Sequence, residues 1–316
     1  TITQEKLANL PLSEQVIKAI IRRPQLDPKL REKALNYLAE KSSNTKQEIL
    51  VGIIQQLDRE ERISLGDWLA VLDSTKVSSI NILSSLLKSK KSIIRQAAYA
   101  AKLRSGLLTS IPLDPDALRS IERIHSIELK ASYFNPAQKA LSLSGPIQEA
   151  ALFCLGRIPK NDNEIFNILA KQILNPNLTE AAAEAILNRP DEHWPSKRAI
   201  SLLNSHLPTL EKTPVDKRGS SAFKLSSELL TKIGNIHKAP KTVAKIRALQ
   251  LVPVEIATIP DQLRFNKASI QVPLNTPIEL RLNNPDAIQH NLVLCSPGSL
   301  EKVGLAVDNI LADPKA

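Results

Sequence analysis

The chain contains 316 residues with 42 Lys and Arg, 32 Asp and Glu, 21 Pro, 9 Gly, 2 Cys and no Met, which gives a net charge of +10 and room for two domains or one extended repeat array. Its glycines form neither the G-x-G-x-x-G nor the G-x-x-x-x-G-K-[ST] motif, and two cysteines cannot make a disulfide framework or a four-thiolate zinc site. No segment approaches the roughly 18 uncharged apolar residues of a membrane span, so a spanning helix is not expected.

Residues 1–240 carry the periodicity of helices. Leu35, Leu38 and Ala39 recur at helix spacing after Pro28. Proline and glycine then interrupt the pattern at intervals that fit helices of two to four turns, and several prolines stand just inside a predicted helix start, where a missing N–H group costs nothing. Alternating β-branched residues are almost absent here, so residues 1–240 are predicted to form a helical domain.

Weak internal similarity runs through this helical part. Four short segments each open a helix rich in Ala and Leu: 31–35, 95–98, 148–152 and 179–183. Small Ala side chains on one face let neighbouring helices pack closely, and stacked helix pairs bury one continuous core. The pattern resembles a degenerate HEAT-like α-solenoid, although helices rich in Ala and Leu also build ordinary bundles.

The character of the sequence changes after Lys241. Residues 241–253 are predicted to be a linker, with a last basic helix as the alternative for 241–251. Strand-like segments follow at 254–259, 269–272, 278–282 and 292–294. In the third of these segments, Ile278, Leu280 and Leu282 share one face of a period-two pattern. The predicted fold class is therefore multidomain α plus β: a HEAT-like helical array (1–240) followed by an incomplete Greek-key β-sandwich (254–316).

The second part of the chain also resembles a known family. Its segments 261–266, 270–272, 280–284 and 290–294 are similar, in order, to the first half of an azurin/plastocyanin-type cupredoxin domain, and 297–304 resembles the loop and short helix that follow. In that family a His-Asn pair at a strand end supplies the first imidazole that binds copper. The resemblance implies that His290 is a metal ligand and that Asn291 fixes its orientation from outside the coordination sphere. It also implies that Gln289 stands where a backbone carbonyl approaches the metal.

A type 1 copper site needs two imidazoles and a thiolate, with a weak axial ligand. The 26 residues after His290 contain no further His and no Met. Cys295 follows His290 by only five residues, whereas the family's thiolate belongs to a different loop, so Cys295 is not expected to be the copper ligand. Cys295 and Cys154 are both interpreted as small buried residues. Copper is therefore expected in a complete parent domain, and this chain alone is not expected to hold it.

Taken with the resemblance, these features favour the C-terminal part of a large bacterial extracytoplasmic redox protein. In such proteins a copper module transfers electrons, helical repeats act as a spacer, and a dehydrogenase-like propeller or a cytochrome c domain is the redox partner. This chain shows no catalytic residue of its own, so an enzymatic activity is left open. Localisation outside the cytoplasm, in the periplasm or at the cell surface, is implied by the resemblance alone.

Two other functions fit the same residues. A copper-free α-solenoid could serve as a protein-interaction scaffold. A helical repeat could also bind nucleic acid through basic stretches such as 88–91 and 217–218. The second alternative is less favoured because Lys and Arg are spread over the whole chain and ten aromatic residues leave little for base stacking. No nucleic-acid partner is therefore expected.

Overall fold

The structure is a computed structural model that describes residues 2–262, 264–274, 276–290 and 292–312. The chain divides into two compact units. The first, called the helical unit below, comprises Thr1–Lys212 and Ser220–Arg247. The second unit comprises Thr213–Gly219 and Ala248–Ala316.

The helical unit consists of short and medium α-helices joined by tight turns. In chain order these are α1 (Gln4–Asn9), α2 (Glu14–Arg22), α3 (Pro28–Lys41), α4 (Lys46–Arg59), α5 (Leu65–Ser74), α6 (Ile80–Ser84), α7 (Ser92–Arg104), α8 (Pro115–Arg119), α9 (Ile127–Ala131), α10 (Phe134–Ala140), α11 (Pro146–Leu155), α12 (Asp162–Ile173), α13 (Thr179–Leu187), α14 (Ser196–Glu211), α15 (Ser221–Ile236) and α16 (Pro240–Leu249). Single turns of 3₁₀-helix occur at Leu86–Lys88, Ser120–Arg123 and Asp191–His193, and a further one, Val215–Lys217, lies in the second unit. The prediction that residues 1–240 are helical is confirmed in this coarse sense.

Local sequence explains where several helices begin. Pro28, Pro115 and Pro146 each stand in the first turn of a helix, as predicted. α4 starts with a capping box, in which the Glu48 amide donates to Thr45 Oγ1 at 3.2 Å and the Thr45 amide donates to Glu48 Oε2 at 2.7 Å. These bonds satisfy backbone donors that have no partner inside a helix.

Small residues on the inner helix faces let the helices pack closely. Consecutive contacts join α7 to α8, α8 to α11, α11 to α13, and α13 to α15, so these helices form one layer, against which α12 also packs. The alanines that open the Ala-rich helices are fully buried in these contacts, among them Ala97, Ala98, Ala150, Ala151, Ala182 and Ala183. Large side chains fill the rest of the core, with Trp68, Tyr133 and Phe166 fully buried. The close packing expected from the small side chains is therefore present.

Buried arginines also hold neighbouring helices together. Arg31 pairs with Asp67 at 2.8 Å between α3 and α5. Arg189 donates to the Leu155 carbonyl at 3.1 Å and forms an ion pair with Asp162, so it joins the ends of α11, α12 and α13. Both guanidinium groups are almost completely buried and are paired with carboxylates, as buried charges must be.

The second unit contains a sheet of two parallel strands, β1 (Val252–Ala257) and β2 (Ile278–Asn283). Val252 lies opposite Ile278 and Ala257 opposite Asn283. Buried and exposed side chains alternate in β1, where Val254 and Ile256 are buried while their neighbours are more exposed. A helix, α17 (Leu300–Ala312), follows in the region where the sequence indicates a short helix.

The described residues show this two-stranded sheet and no Greek-key β-sandwich. Strands were expected at 269–272 and 292–294, and both predictions are wrong: Ile270, Val272, Val293 and Leu294 lie in irregular, exposed backbone. An extended segment forms a strand only when a neighbour pairs with its N–H and C=O groups, and no described residue supplies that neighbour. Separately, no helix among the described residues has the length and apolar character needed to cross a bilayer.

Candidate metal-ligand region around His290

The segment that follows β2 is a compact turn built on Asn284. The Asn284 Oδ1 atom accepts a hydrogen bond from Thr258 Oγ1 at 2.7 Å and another from the Asp286 amide at 3.2 Å. Its Nδ2 atom donates to the Ile288 carbonyl at 2.8 Å. One amide side chain thus fixes the start of the turn, its end and the residue after β1.

His290 lies at the end of this turn and contacts Asp286. The His290 Nε2 atom is 3.1 Å from Asp286 Oδ2, and the two side chains are only 7% and 4% exposed. The hydrogen bond from His290 lowers the pKa of the Asp286 carboxyl, and bonds from the backbone amides of Ile288, Ala287 and Asp261 lower it further, against the opposing effect of burial. The carboxylate form of Asp286 is therefore favoured.

This contact determines which ring nitrogen remains available. A metal-binding histidine commonly holds its second ring nitrogen against a carboxylate, which fixes the tautomer and the orientation of the ring. Since Asp286 takes the Nε2 atom, Nδ1 is the nitrogen of His290 that could face a ligand. Sequence reasoning recognised Asp286 only as part of a turn, and its spacing of four residues before the histidine was the available signal.

The other residues that the resemblance singled out do not complete a donor set. Gln289 is exposed, and Asn291 lies outside the described residues. Cys295 is an exposed free thiol, contrary to the expectation that it is buried, whereas Cys154 is buried as expected, and its burial raises the pKa of the thiol. No group of three or more His, Cys, Asp or Glu side chains is placed for a metal ion anywhere in the described ranges. Of the donors that the resemblance implies for a type 1 copper site, the described residues include only the candidate imidazole of His290.

The basic stretch at 88–91 is partly engaged within the protein. Lys91 Nζ lies 3.1 Å from Asp58 Oδ1. The neighbouring Arg95 pairs with Asp116 at 2.6 Å and donates to the Ser89 carbonyl at 2.7 Å. Cations held in this way stabilise the packing of helices and are less available for phosphate groups.

Comparison with known proteins adds no relative: no protein-family model, curated protein or solved structure matches the chain.

Proposed function

We propose that the chain belongs to an extracytoplasmic electron-transfer protein, in which the helical unit is a HEAT-like spacer and the second unit contributes one ligand, His290, to a type 1 copper site. The observation that carries the proposal is the buried His290–Asp286 pair in a unit that otherwise exposes much of its apolar surface. A carboxylate that holds one ring nitrogen of a histidine fixes the orientation of the ring, and the other ring nitrogen can then bind a metal. The ordered sequence resemblance to a cupredoxin domain supports the same assignment.

The remaining donors must come from outside the described residues. A copper ion bound there would carry single electrons, and its site needs a thiolate and a second imidazole in addition to His290. The described residues do not fit a complete site, so the chain by itself is proposed not to hold type 1 copper. Gln289 and Asn291 would lie outside the coordination sphere, and Asn291 would connect the ligand loop to its neighbour.

The small size of the sheet supports the proposal that this domain is incomplete. The described residues give this sheet two strands, with further pairing at the end of β1, where the Asn266 amide donates to the Ala257 carbonyl at 2.8 Å. Leu274 and Leu294 are 90% and 78% exposed. A sheet this small is not stable alone and needs further strands or a packed helix on its apolar face. We therefore expect additional strands, together with the missing donors, to pack on this unit in the complete protein. A redox partner such as a cytochrome c domain would exchange electrons with it.

The test uses a protein extended beyond residue 316 along its own coding sequence. After addition of Cu(II), the extended protein should develop the intense visible absorption of a copper–thiolate bond. His290→Ala should abolish this absorption, whereas His237→Ala, a substitution of a histidine in the helical unit, should leave it unchanged. Absence of the band from the extended protein, or its persistence in the His290→Ala variant, would refute the copper assignment.

A copper-free interaction scaffold is the second candidate. It is favoured by the finding that the described residues assemble no group of three metal-binding side chains, while the helical unit offers a continuous layer of packed helices. In this function the Asp286–His290 pair serves only to stabilise its turn. Absence of the copper–thiolate band from the extended protein would favour the scaffold. A nucleic-acid-binding role has less support, because Lys91 and Arg95 are already paired.

A further inference from the structure

A groove in the helical unit separates the segment that joins α7 to α8 from one face of α9 and α10. Its lining comes from within residues 103–113 on one side and 129–139 on the other. The groove has a volume of about 520 Å³, and sites for small molecules usually have roughly 300–1,000 Å³. Its size therefore suits a small organic molecule.

The segment between α7 and α8 is fixed at both ends. At its start, Gly106 has a φ of 70°, which glycine adopts without steric cost, and its amide donates to the Leu103 carbonyl at 3.1 Å. At its end, the Asp114 carboxylate accepts hydrogen bonds from the amides of Asp116 and Ala117 at 2.9 and 3.0 Å and so caps α8. This wall of the groove is therefore held in place by the protein itself.

The opposite wall is formed by one helical face. Ser132, Pro136 and Lys139 are spaced by four and three residues and all line the groove, as expected of residues on one side of a helix. Next to Ser132, Tyr133 is completely buried, and its hydroxyl lies 2.8 Å from Ser120 Oγ. This buried hydrogen bond holds the start of α10 in place.

The groove is apolar over much of its lining. Leu103 and Ile111 are each only 7% exposed, whereas Leu113 is 47% exposed. Leu108 and Leu129 are half-buried. The described residues of the lining include no Phe, Tyr or Trp, so an aromatic ligand would find no ring to stack on. The lining therefore favours an aliphatic ligand, whose binding removes apolar surface from water.

The polar groups of the groove are donors without acceptors. Lys139 is the one charged side chain among the described residues of the lining, and it forms no ion pair with any residue that the structure describes. The backbone amides of Thr109, Ser110 and Ile111 likewise donate to no acceptor in the described part of the chain. Ammonium and amide groups both bind an anionic oxygen, and charge-assisted hydrogen bonds are about twice as strong as neutral ones. One cation and no carboxylate in the described lining match a ligand with a single negative charge.

We propose that this groove binds a medium-chain fatty acid. Its carboxylate contacts Lys139 and the free amides of the segment between α7 and α8, and its hydrocarbon chain lies against Leu113 and Leu129. A nucleotide or another phosphate ester fits less well, because its higher charge is not offset by one lysine and its base has no aromatic side chain to stack on. This binding role goes beyond electron transfer and does not depend on copper.

The full chain can be titrated with sodium octanoate, kept below the concentration at which it forms micelles, while amide NMR signals are recorded. Octanoate should shift the signals of Ile111 and Leu129. Acetate, which has the charge without the chain, should not shift them. Octyltrimethylammonium, which has the chain with a positive charge, should not shift them either, because Lys139 repels it.

Two pairs of variants test the contacts separately. Lys139→Gln should weaken octanoate binding roughly fivefold, since it removes the ionic contact. Leu113→Ser should also weaken binding, because it removes an apolar contact while changing a side chain that is already partly exposed. Lys171→Gln and Leu174→Ser make the same changes at exposed sites elsewhere in the helical unit and should bind octanoate as the wild type does.

The outcomes separate a fatty-acid site from general effects of charge or apolar surface. The proposal fails if octanoate does not bind, or if Lys139→Gln binds it as tightly as the wild type does. Equal weakening in Lys139→Gln and Lys171→Gln, or equal binding of acetate, would mean that only net charge matters. Equal binding of octyltrimethylammonium would mean that the lysine selects nothing, and the carboxylate assignment would be overturned. Tighter binding of the dipeptide acetyl-Gly-Leu than of octanoate would refute the fatty acid in favour of the carboxyl terminus of a peptide.

Discussion

The two units of this chain differ in how far they bury their apolar side chains. In the helical unit, Leu57 and Trp68 are completely buried, whereas in the second unit Leu274 and Leu294 are almost fully exposed. The difference follows from hydrogen bonding. A helix satisfies its backbone within one segment and needs only a neighbour for its apolar face. A strand needs a neighbour for its backbone as well, so a sheet of two strands leaves both requirements partly unmet.

Charged side chains show the same contrast. Arg189 is buried in the helical unit and bonded to two backbone carbonyls and to Asp162. Arg281 in the second unit is half-exposed and pairs with Glu279 on the same strand and, at 3.9 Å, with Glu255 on the other. Buried, multiply bonded charges are costly to disturb, while exposed pairs contribute little. The comparison implies that the stability of the chain resides in the helical unit, and four substitutions can test this.

The largest effect is expected for loss of a core side chain. Ile54→Ala removes a completely buried side chain from the helical unit and should lower the free energy of unfolding by about 3 kcal/mol, since such truncations leave a cavity. Leu294→Ala changes an exposed residue of the second unit and should have almost no effect. Urea unfolding followed by far-UV circular dichroism measures both. Similar losses in the two variants would contradict the proposed contrast.

Removal of the buried arginine should have the next largest effect. Arg189→Met leaves the carbonyls of Leu155 and Ile158 without this donor and leaves the Asp162 carboxylate with only His193 at 3.4 Å, which should cost about 2 kcal/mol. The partial exposure of Asp162 keeps the loss below that of a fully buried pair. Arg281→Met, its counterpart in the second unit, should cost less than about 0.5 kcal/mol. The same urea experiment serves, and an Arg281→Met variant as unstable as Arg189→Met would reverse the assignment.

The sequence predicted the helical unit better than the second unit, because a helix forms its backbone hydrogen bonds within one segment whereas a strand depends on a neighbouring strand. Pro115 and Pro146 signal helix starts, and buried alanines such as Ala150 signal close packing, because both depend on short-range geometry. The apolar segments 269–272 and 292–294 have the composition of strands, but composition does not reveal whether a pairing neighbour exists.

The candidate site shows the same limit of short-range information. His290 could be singled out from a linear motif. Its contact with Asp286 depends on how Asn284 folds the turn, and this arrangement has no signature in a continuous stretch of sequence.

A smaller, pH-dependent effect is expected from a buried histidine of the helical unit. His206 is buried, and no described residue forms a hydrogen bond with either ring nitrogen. Burial lowers the pKa of its imidazole below the ordinary 6.5. The unfolded chain therefore takes up the proton first, and the free energy of unfolding should decrease as the pH falls from about 6.5 through the lower pKa of the folded state.

Substitution isolates this contribution. His206→Leu fills the same space without a titrating group and should remove that part of the pH dependence. His125→Gln, at an exposed site, should retain it. Urea unfolding at a series of pH values between 5 and 8 supplies the measurement. If His206→Leu had the same pH profile as the wild type, His206 would not be the group responsible.

The smallest effect is expected at the Asp286–His290 pair, because it should be confined to the second unit. The pKa of Asp286 is below the ordinary 3.8, chiefly through the hydrogen bond from His290. The stabilising contribution of this carboxylate is therefore complete above about pH 3.8 and is lost as the pH falls through the lower pKa of the folded state. The ring signals of His290, followed by NMR through this range, should move toward those of a solvent-exposed histidine.

Asp286→Asn should produce the same change in the His290 signals already at neutral pH, because the amide carries no charge to hold the ring. Glu301→Gln, an exposed substitution in α17, should leave those signals unchanged. Neither variant should alter the urea transition of the helical unit, whose core contains no member of the pair. A cooperative loss of helical signal in Asp286→Asn would show instead that the two units share one unfolding transition, and the contrast between an independently stable unit and a dependent one would have to be abandoned.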